Sequence, residues 1–340
     1  MKTLLFSISF LLIAIANAQQ TAPEWVEEGK KLKTNKKYAD AVTAFKTALS
    51  KDDKSFDAHY ELGWCYNELK KYPEALSSLK RADQLLPGMA KVYFETAWAY
   101  EKSEKKEEAI NFYRRTIQIK KDYSTALYRK GFLENNLTMY DSALTTLTSA
   151  VYYKGENPEA WSELGFAQYK LNNETSARYS FRKCISLDPK KTSGYTGMGD
   201  VFKTLSKNYD SALYYYQQSA TINPENLKAV YNIGWCYNAK GLYDDAIKNL
   251  QKALKIDNDY EPANTEMGYS YYAKREYSTA FIYFDKSISL KPKTIAARYY
   301  KGLCYIEQNN KSAAQKMYDV LKELDKTNAD KLLKQINQMK

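Results

Sequence analysis

An all-α solenoid of helix–turn–helix units is the fold class this sequence predicts, and three observations predict it. A ladder of small residues, Gly29, Gly63, Ala97, Gly131, Gly165, Gly199, Gly234, Gly268 and Gly302, steps by 34 residues with one step of 35. A second ladder, Ala41, Ala75, Ala109, Ala143, Ala177, Ala212, Ala246, Ala280 and Ala314, keeps the same step twelve or thirteen residues later. The word GWCYN stands at 63–67 and again at 234–238, five periods plus the single inserted residue that lies between Gly199 and Ala212. A 34-residue period filled by two amphipathic helices is the spacing of a helical solenoid, and small residues at fixed places let two helix axes approach closely.

The elements follow in order. MKTLLFSISFLLIAIANA carries Lys2, an apolar run from Leu4 to Ile15 and the small-x-small site Ala16-Asn17-Ala18, which together predict a secretory signal peptide over 1–18, cleaved before Gln19. The run is shorter than the ~20 apolar residues of a spanning helix. Gln and not Cys follows the site, so a lipid anchor is not indicated. A soluble chain exported to a bacterial periplasm or the cell exterior is the expectation. In each unit the first helix places bulky residues ahead of its glycine and an aromatic or leucine after it, as at His59 and Tyr60, then Gly63 and Tyr66. The second helix opens on a turn such as KYPEA or LYDDA, with Asp141, Asp210 and Asp244 expected as N-caps.

The chain therefore resembles the tetratricopeptide-repeat family. Besides the two ladders, Tyr38, Tyr72, Tyr140, Tyr209, Tyr243 and Tyr277, and Pro87, Pro189, Pro224 and Pro292, fall where that family's repeat has Tyr and Pro. The resemblance covers nearly all of the chain after residue 21 and implies a right-handed superhelix of nine repeats. These run 22–55, 56–89, 90–123, 124–157, 158–191, 192–226, 227–260, 261–294 and 295–328. In ADKLLKQINQMK, residues 329–340, the stripe Leu332, Leu333, Ile336 and Met339 predicts a closing helix over the end of the last repeat.

Other chemistry finds little support. The net charge of +11 is spread among acids, as in EKSEKKEEA, the pattern of solvated helix faces; export makes nucleic acid the least fitting partner. Cys65, Cys236 and Cys304 share one repeat position, in repeats too far apart for a disulfide, and Cys184 sits at another small buried position. All four are expected reduced and packed. The one histidine, His59, stands at a core aromatic position, and no Cys or His pair has metal-ligand spacing. The glycines of TSGYTGMGD follow no strand and are no nucleotide fingerprint. Neither an enzyme nor a cofactor is expected.

A binding face is expected instead. Counting from the first residue of each repeat, positions 5, 9 and 12 share one stripe of the first helix, and the resemblance implies that it lines the concave groove. Position 9 reads Trp64, Trp98, Phe132, Phe166, Trp235 and Tyr269, with Lys30, Asp200 and Leu303 as exceptions. Position 5 adds Tyr60, Phe94, Tyr128 and Tyr231, and position 12 adds Asn67, Asn135, Tyr169, Asn238 and Tyr272. With the core stripe taken as positions 4, 8 and 11, this second stripe is read as a groove for a peptide or protein segment. The alternatives are a glycan stacked on the same rings and self-association. Of the side chains that grip a C-terminal carboxylate in the family, repeats two to four supply only Arg129. Gly194, Gly197 and Gly199 with the inserted residue suggest a softer joint in the sixth repeat, between aromatic patches on repeats two to five and seven to eight.

Overall fold

The computed structural model describes residues 20–339, so the signal peptide expected over 1–18 lies outside them. The described residues form nineteen α-helices joined by short turns, with no strand among them. The chain divides into two compact units, up to Glu156 and from Asn157 onward. This boundary falls between the fourth and fifth repeats; the sixth, read above as a softer joint, lies inside the second unit.

In the first unit the helices pair as α1 (Ala22–Thr34) with α2 (Tyr38–Lys51), α3 (Phe56–Glu68) with α4 (Tyr72–Leu85), α5 (Ala90–Lys102) with α6 (Lys106–Ile119), and α7 (Ser124–Asn136) with α8 (Tyr140–Tyr153). In the second they pair as α9 (Pro158–Lys170) with α10 (Glu174–Leu187), α11 (Thr192–Thr204) with α12 (Tyr209–Ile222), α13 (Leu227–Ala239) with α14 (Tyr243–Ile256), α15 (Glu261–Ala273) with α16 (Tyr277–Leu290), and α17 (Ile295–Glu307) with α18 (Lys311–Leu324). A last helix, α19 (Lys326–Ile336), packs on α17 and α18. We call the first helix of each pair A and the second B.

The glycine ladder has a steric cause. A Cβ at Gly63 would stand 2.6 Å from Leu79 Cγ, one at Gly131 2.4 Å from Leu147 Cγ, and one at Gly234 2.6 Å from Leu250 Cγ. Each A helix thus leaves a notch for a large side chain of its own B helix; Phe45, Leu79, Tyr113, Leu147, Tyr216, Leu250 and Phe284 are all fully buried. Packing at this density leaves no room for even one extra methyl group without displacement. In the last repeat the notch at Gly302 is filled from α19, whose Leu332 Cδ2 lies 2.7 Å from the Cβ position. That helix starts at Lys326, three residues ahead of the expected 329, because Asp325 caps it by accepting from Asn328 N at 2.8 Å. Its buried stripe is Ala329, Leu332 and Ile336; Leu333 and Met339 are half-buried at the flanks.

The glycines of the sixth repeat also serve close approach. A Cβ at Gly197 would lie 2.2 Å from Phe181 Cε1, and one at Gly194 2.8 Å from Ile185 Cγ1, so α11 presses on α10. The inserted residue is taken up in the α11–α12 turn, which spans 205–208 where the α1–α2 turn spans 35–37.

Two local expectations change. Asp141, Asp210 and Asp244 occupy the second helical position, where a carboxylate still complements the helix dipole; the capping residues are Met139, Asn208 and Leu242. Every A–B turn also holds one left-handed residue, Lys36, Lys70, Glu104, Thr138, Asn172, Lys207, Gly241, Arg275 or Asn309, and glycine supplies it once only. Such a tight reversal needs a positive φ, and tertiary packing holds side-chain-bearing residues there at a cost of about 1–2 kcal/mol each.

Candidate functional site

The A-helix stripe is built on a core that differs from the expected one. Position 7 adds the buried side chains Leu62, Leu164, Met198, Ile233 and Met267 to it, while position 4 is buried at Tyr93, Leu127 and Val230 and half-buried at His59, Trp161, Tyr195 and Arg298. Positions 5 and 9 stand at the edge of that core. Tyr60, Trp64, Phe94, Trp98, Tyr128, Phe132, Phe166, Tyr169, Tyr231, Trp235, Tyr269 and Tyr272 are accordingly all half-buried. Trp64 and Trp235 rest against buried clusters and keep part of their rings in solvent. Of the patch expected on repeats two to five, Tyr60 to Phe132 belong to the first unit, and Phe166 and Tyr169 to the second.

The ring faces carry cations. Lys33 Nζ lies 4.1 Å from the Trp64 centroid, Lys203 Nζ 4.9 Å from Trp235, and both Lys102 Nζ and Arg129 Cζ 4.5 Å from Trp98. The ring edges meet tyrosines from the preceding B helix: Tyr38 packs on Trp64 at 5.7 Å and 72°, and Tyr209 on Trp235 at 5.6 Å and 78°. The two copies of GWCYN therefore hold the same surroundings, one in each unit.

The asparagines of that word do not line a groove. Asn67 is buried and donates Nδ2 to Glu95 O at 3.0 Å and Glu95 Oε2 at 2.9 Å; Asn238 does the same to Glu266 at 3.1 and 2.8 Å. Asn135, at the same repeat position, is buried as well. Position 12 of one repeat binds position 6 of the next, twenty-eight or twenty-nine residues on, and the ladder continues with other chemistry. Lys33 pairs with Glu61 at 2.5 Å, Arg129 with Glu101 at 3.1 Å, and Lys203 Nζ donates to Asn232 Oδ1 at 2.6 Å. At Tyr272 the contact becomes a ring pair with Tyr300 at 5.9 Å. Sequence reading assigned position 12 to the ligand and missed this ladder. The signal that could have found it is the complementary pairs K/E, N/E, E/R, K/N and N/E, 28 residues apart and 29 across the inserted residue.

Burial sets the protonation of its acids. It pushes the carboxyls of Glu95 and Glu266 up to about 7, against the pull of the Asn67 and Asn238 amides that favours the charged form. The four thiols are free and buried, and burial pushes them up to about 12 at Cys65, Cys236 and Cys304 and about 11 at Cys184, far from nucleophilic use. His59 Nε2 lies 3.0 Å from Asp53 O. Among the described residues no cluster of His, Cys, Asp and Glu is placed to hold a metal, and no helix is long and apolar enough to cross a membrane.

Comparison with solved structures gives the fold independently. The C-terminal part of a TPR repeat-containing protein from Cytophaga hutchinsonii superposes with a TM-score of 0.59 at 18% identity, over 71% of this chain and 99% of that one. A tetratricopeptide repeat protein from Parabacteroides merdae gives 0.52 at 18%, over 73% and 98%. The Cut9–Hcn1 hetero-tetramer of the APC/C gives 0.58 at 16%, over 78% of this chain, which spans 52% of the matched chain. Comparison with curated proteins finds no match. Four profiles, each described as tetratricopeptide repeat, match residues 26–90, 90–123 with 158–191, 204–268, and 296–328. With these four profiles spread along the chain and the same helix–turn–helix pair repeated between and beyond them, the chain belongs to the tetratricopeptide-repeat family.

Proposed function

We propose that this chain is a non-enzymatic scaffold of the cell envelope that holds a segment of a partner protein on its A-helix face. Tetratricopeptide repeats are in general a non-catalytic fold that binds protein partners, and here the residues of that face fit the role. The observation that carries the reading is the state of three indoles: Trp64, Trp98 and Trp235 are half-buried, each with a cation against its ring. A ring spent wholly on packing would be covered by apolar neighbours. A ring that gains ~150–250 Å² of further contact contributes several kcal/mol gross at about 25 cal/mol per Å² before ordering costs. The signal peptide read over 1–18 supports export, and fractionation of the tagged chain with sequencing of its mature N-terminus tests it.

The test of the face compares the chain with a Trp64→Ala/Trp98→Ala/Trp235→Ala variant of equal helicity as baits in native envelope extract. A protein retained by the first and lost by the second is the expected result. Identical captures would return the stripe to packing.

A further inference from the structure

The A-helix face of the third repeat offers more than aromatic surface. On α5, Lys91, Trp98 and Lys102 stand at i, i+7 and i+11, so at 100° per residue they fall within roughly 40° of one another along one line. Lys91 Nζ lies 4.3 Å from the Tyr60 centroid and 4.9 Å from Phe56, two rings stacked at 6.2 Å with 4° between their planes. Lys102 Nζ and the Arg129 guanidinium share the Trp98 ring.

Some lysines on these repeats meet carboxylates, as Lys33 on Glu61, Lys191 on Glu159, Lys228 on Asp200 and Lys274 on Asp244, while Lys46, Lys105 and Lys170 rest on rings. Lys91 and Lys102 have ring faces as their contacts and no carboxylate within 4 Å. The neighbouring acids are committed: Glu61 to Lys33, Glu95 to Asn67, and Glu101 to both Arg129 and the Tyr113 hydroxyl. An ammonium resting on a ring still has N–H bonds directed away from it, and a carboxylate is the group that satisfies them best. Eleven residues of helix separate the two lysines by about 16 Å. In an extended peptide side chains alternate between two faces, and two on one face four residues apart stand about 13 Å from each other, within reach of both lysines through their flexible stems.

We propose that this stripe binds an acidic, extended segment of a partner protein through its side-chain carboxylates, two of them four residues apart on Lys91 and Lys102, with an apolar side chain midway between them, on the same face, against Trp98. The proposal rests on the reading of the A-helix face as the binding face and adds the chemistry of the ligand. It differs from capture of a chain terminus, since no terminal carboxylate takes part.

The probe is a fluorescent, N-acetylated and C-terminally amidated peptide EALAE, with QALAQ and KALAK as controls, titrated onto the full chain at low salt and read by anisotropy. EALAE is expected to bind at least tenfold more tightly than QALAQ, with KALAK weakest. Lys91→Ala/Lys102→Ala should remove that difference with unchanged circular dichroism, Lys91→Arg/Lys102→Arg should restore it, and Trp98→Ala should weaken both peptides. Equal binding of EALAE and QALAQ, absence of EALAE binding, or an acid preference that survives the double alanine variant overturns the proposal. If a partner is meanwhile lost by the triple tryptophan variant, the face stands as a binding face and only the acidic chemistry falls.

Discussion

Asn67 and Asn238 occupy equivalent positions, and one oxygen separates their energetics. Ser270 Oγ donates to Asn238 Oδ1 at 2.7 Å, whereas Ala99 stands at the corresponding place in the first unit and Asn67 Oδ1 is buried without a hydrogen-bond partner. An unmet buried acceptor costs about 1–3 kcal/mol. Ser270→Ala should therefore lower the denaturation midpoint by an amount of that order, and Ala99→Ser should raise it; shifts of the same sign, or no shift, in urea titrations would refute the accounting. The acids those asparagines hold give the residue scale a pH dependence. The folded-state pKa values of Glu95 and Glu266 lie near 7 against an ordinary 4.5, so the neutral form is favoured in the fold. Their contribution is fully present below about 4.5 and is lost as pH rises through about 7. Glu95→Gln, which stays neutral and can still accept from Asn67, should raise the thermal midpoint at pH 8 and leave it nearly unchanged at pH 4.5. The same gain at both pH values would show that the charge is not what matters.

At the scale of the element, the sixth repeat separates two effects that point in opposite directions. Helix propensity alone says that Gly197→Ala stabilises α11 by about 1 kcal/mol. Packing says otherwise, because the new Cβ would meet Phe181 at 2.2 Å, and overfilling a close-packed contact costs about 1–3 kcal/mol. The clash should win, and Gly197→Ala should lower the midpoint; a rise would mean that α11 can move off α10 and is the softer element read from its glycines. The closing helix makes the complementary case. Leu332 fills the Gly302 notch from outside the repeat, so Leu332→Ala leaves a cavity and should cost about 2–5 kcal/mol, with the earliest loss of amide protection in α17 and α18.

For the whole molecule, the charge of +11 acts on encounter more than on the fold. Association with an acidic partner should slow as salt rises, with the association rate falling more steeply than dissociation quickens between about 50 and 300 mM salt. Stopped-flow traces in which dissociation alone responds would place the salt effect at the contact itself.

The repeat architecture was legible in the residues because its cause is local and recurs. Each notch needs a small residue opposite a large one in the next helix, and nine copies of one requirement write a period of 34 that no tertiary information is needed to see. The aromatic stripe at positions 5 and 9 was legible for the same reason: residues at i and i+4 share a helix face wherever the helix lies. What Asn67, Asn135 and Asn238 do was not legible, since an amide on an A-helix face reads the same whether it meets a ligand or the next repeat. Only packing of neighbouring A helices brings Glu95 within 2.9 Å of Asn67 and Glu266 within 2.8 Å of Asn238, and so turns a supposed contact for a partner into an internal bond. The division at Glu156, the left-handed turns at residues such as Thr138, and the contrast between paired lysines and the ring-bound Lys91 and Lys102 were decided in the same way. Periodicity tells which face of a helix a side chain shares, and the distance to another helix tells what it touches there.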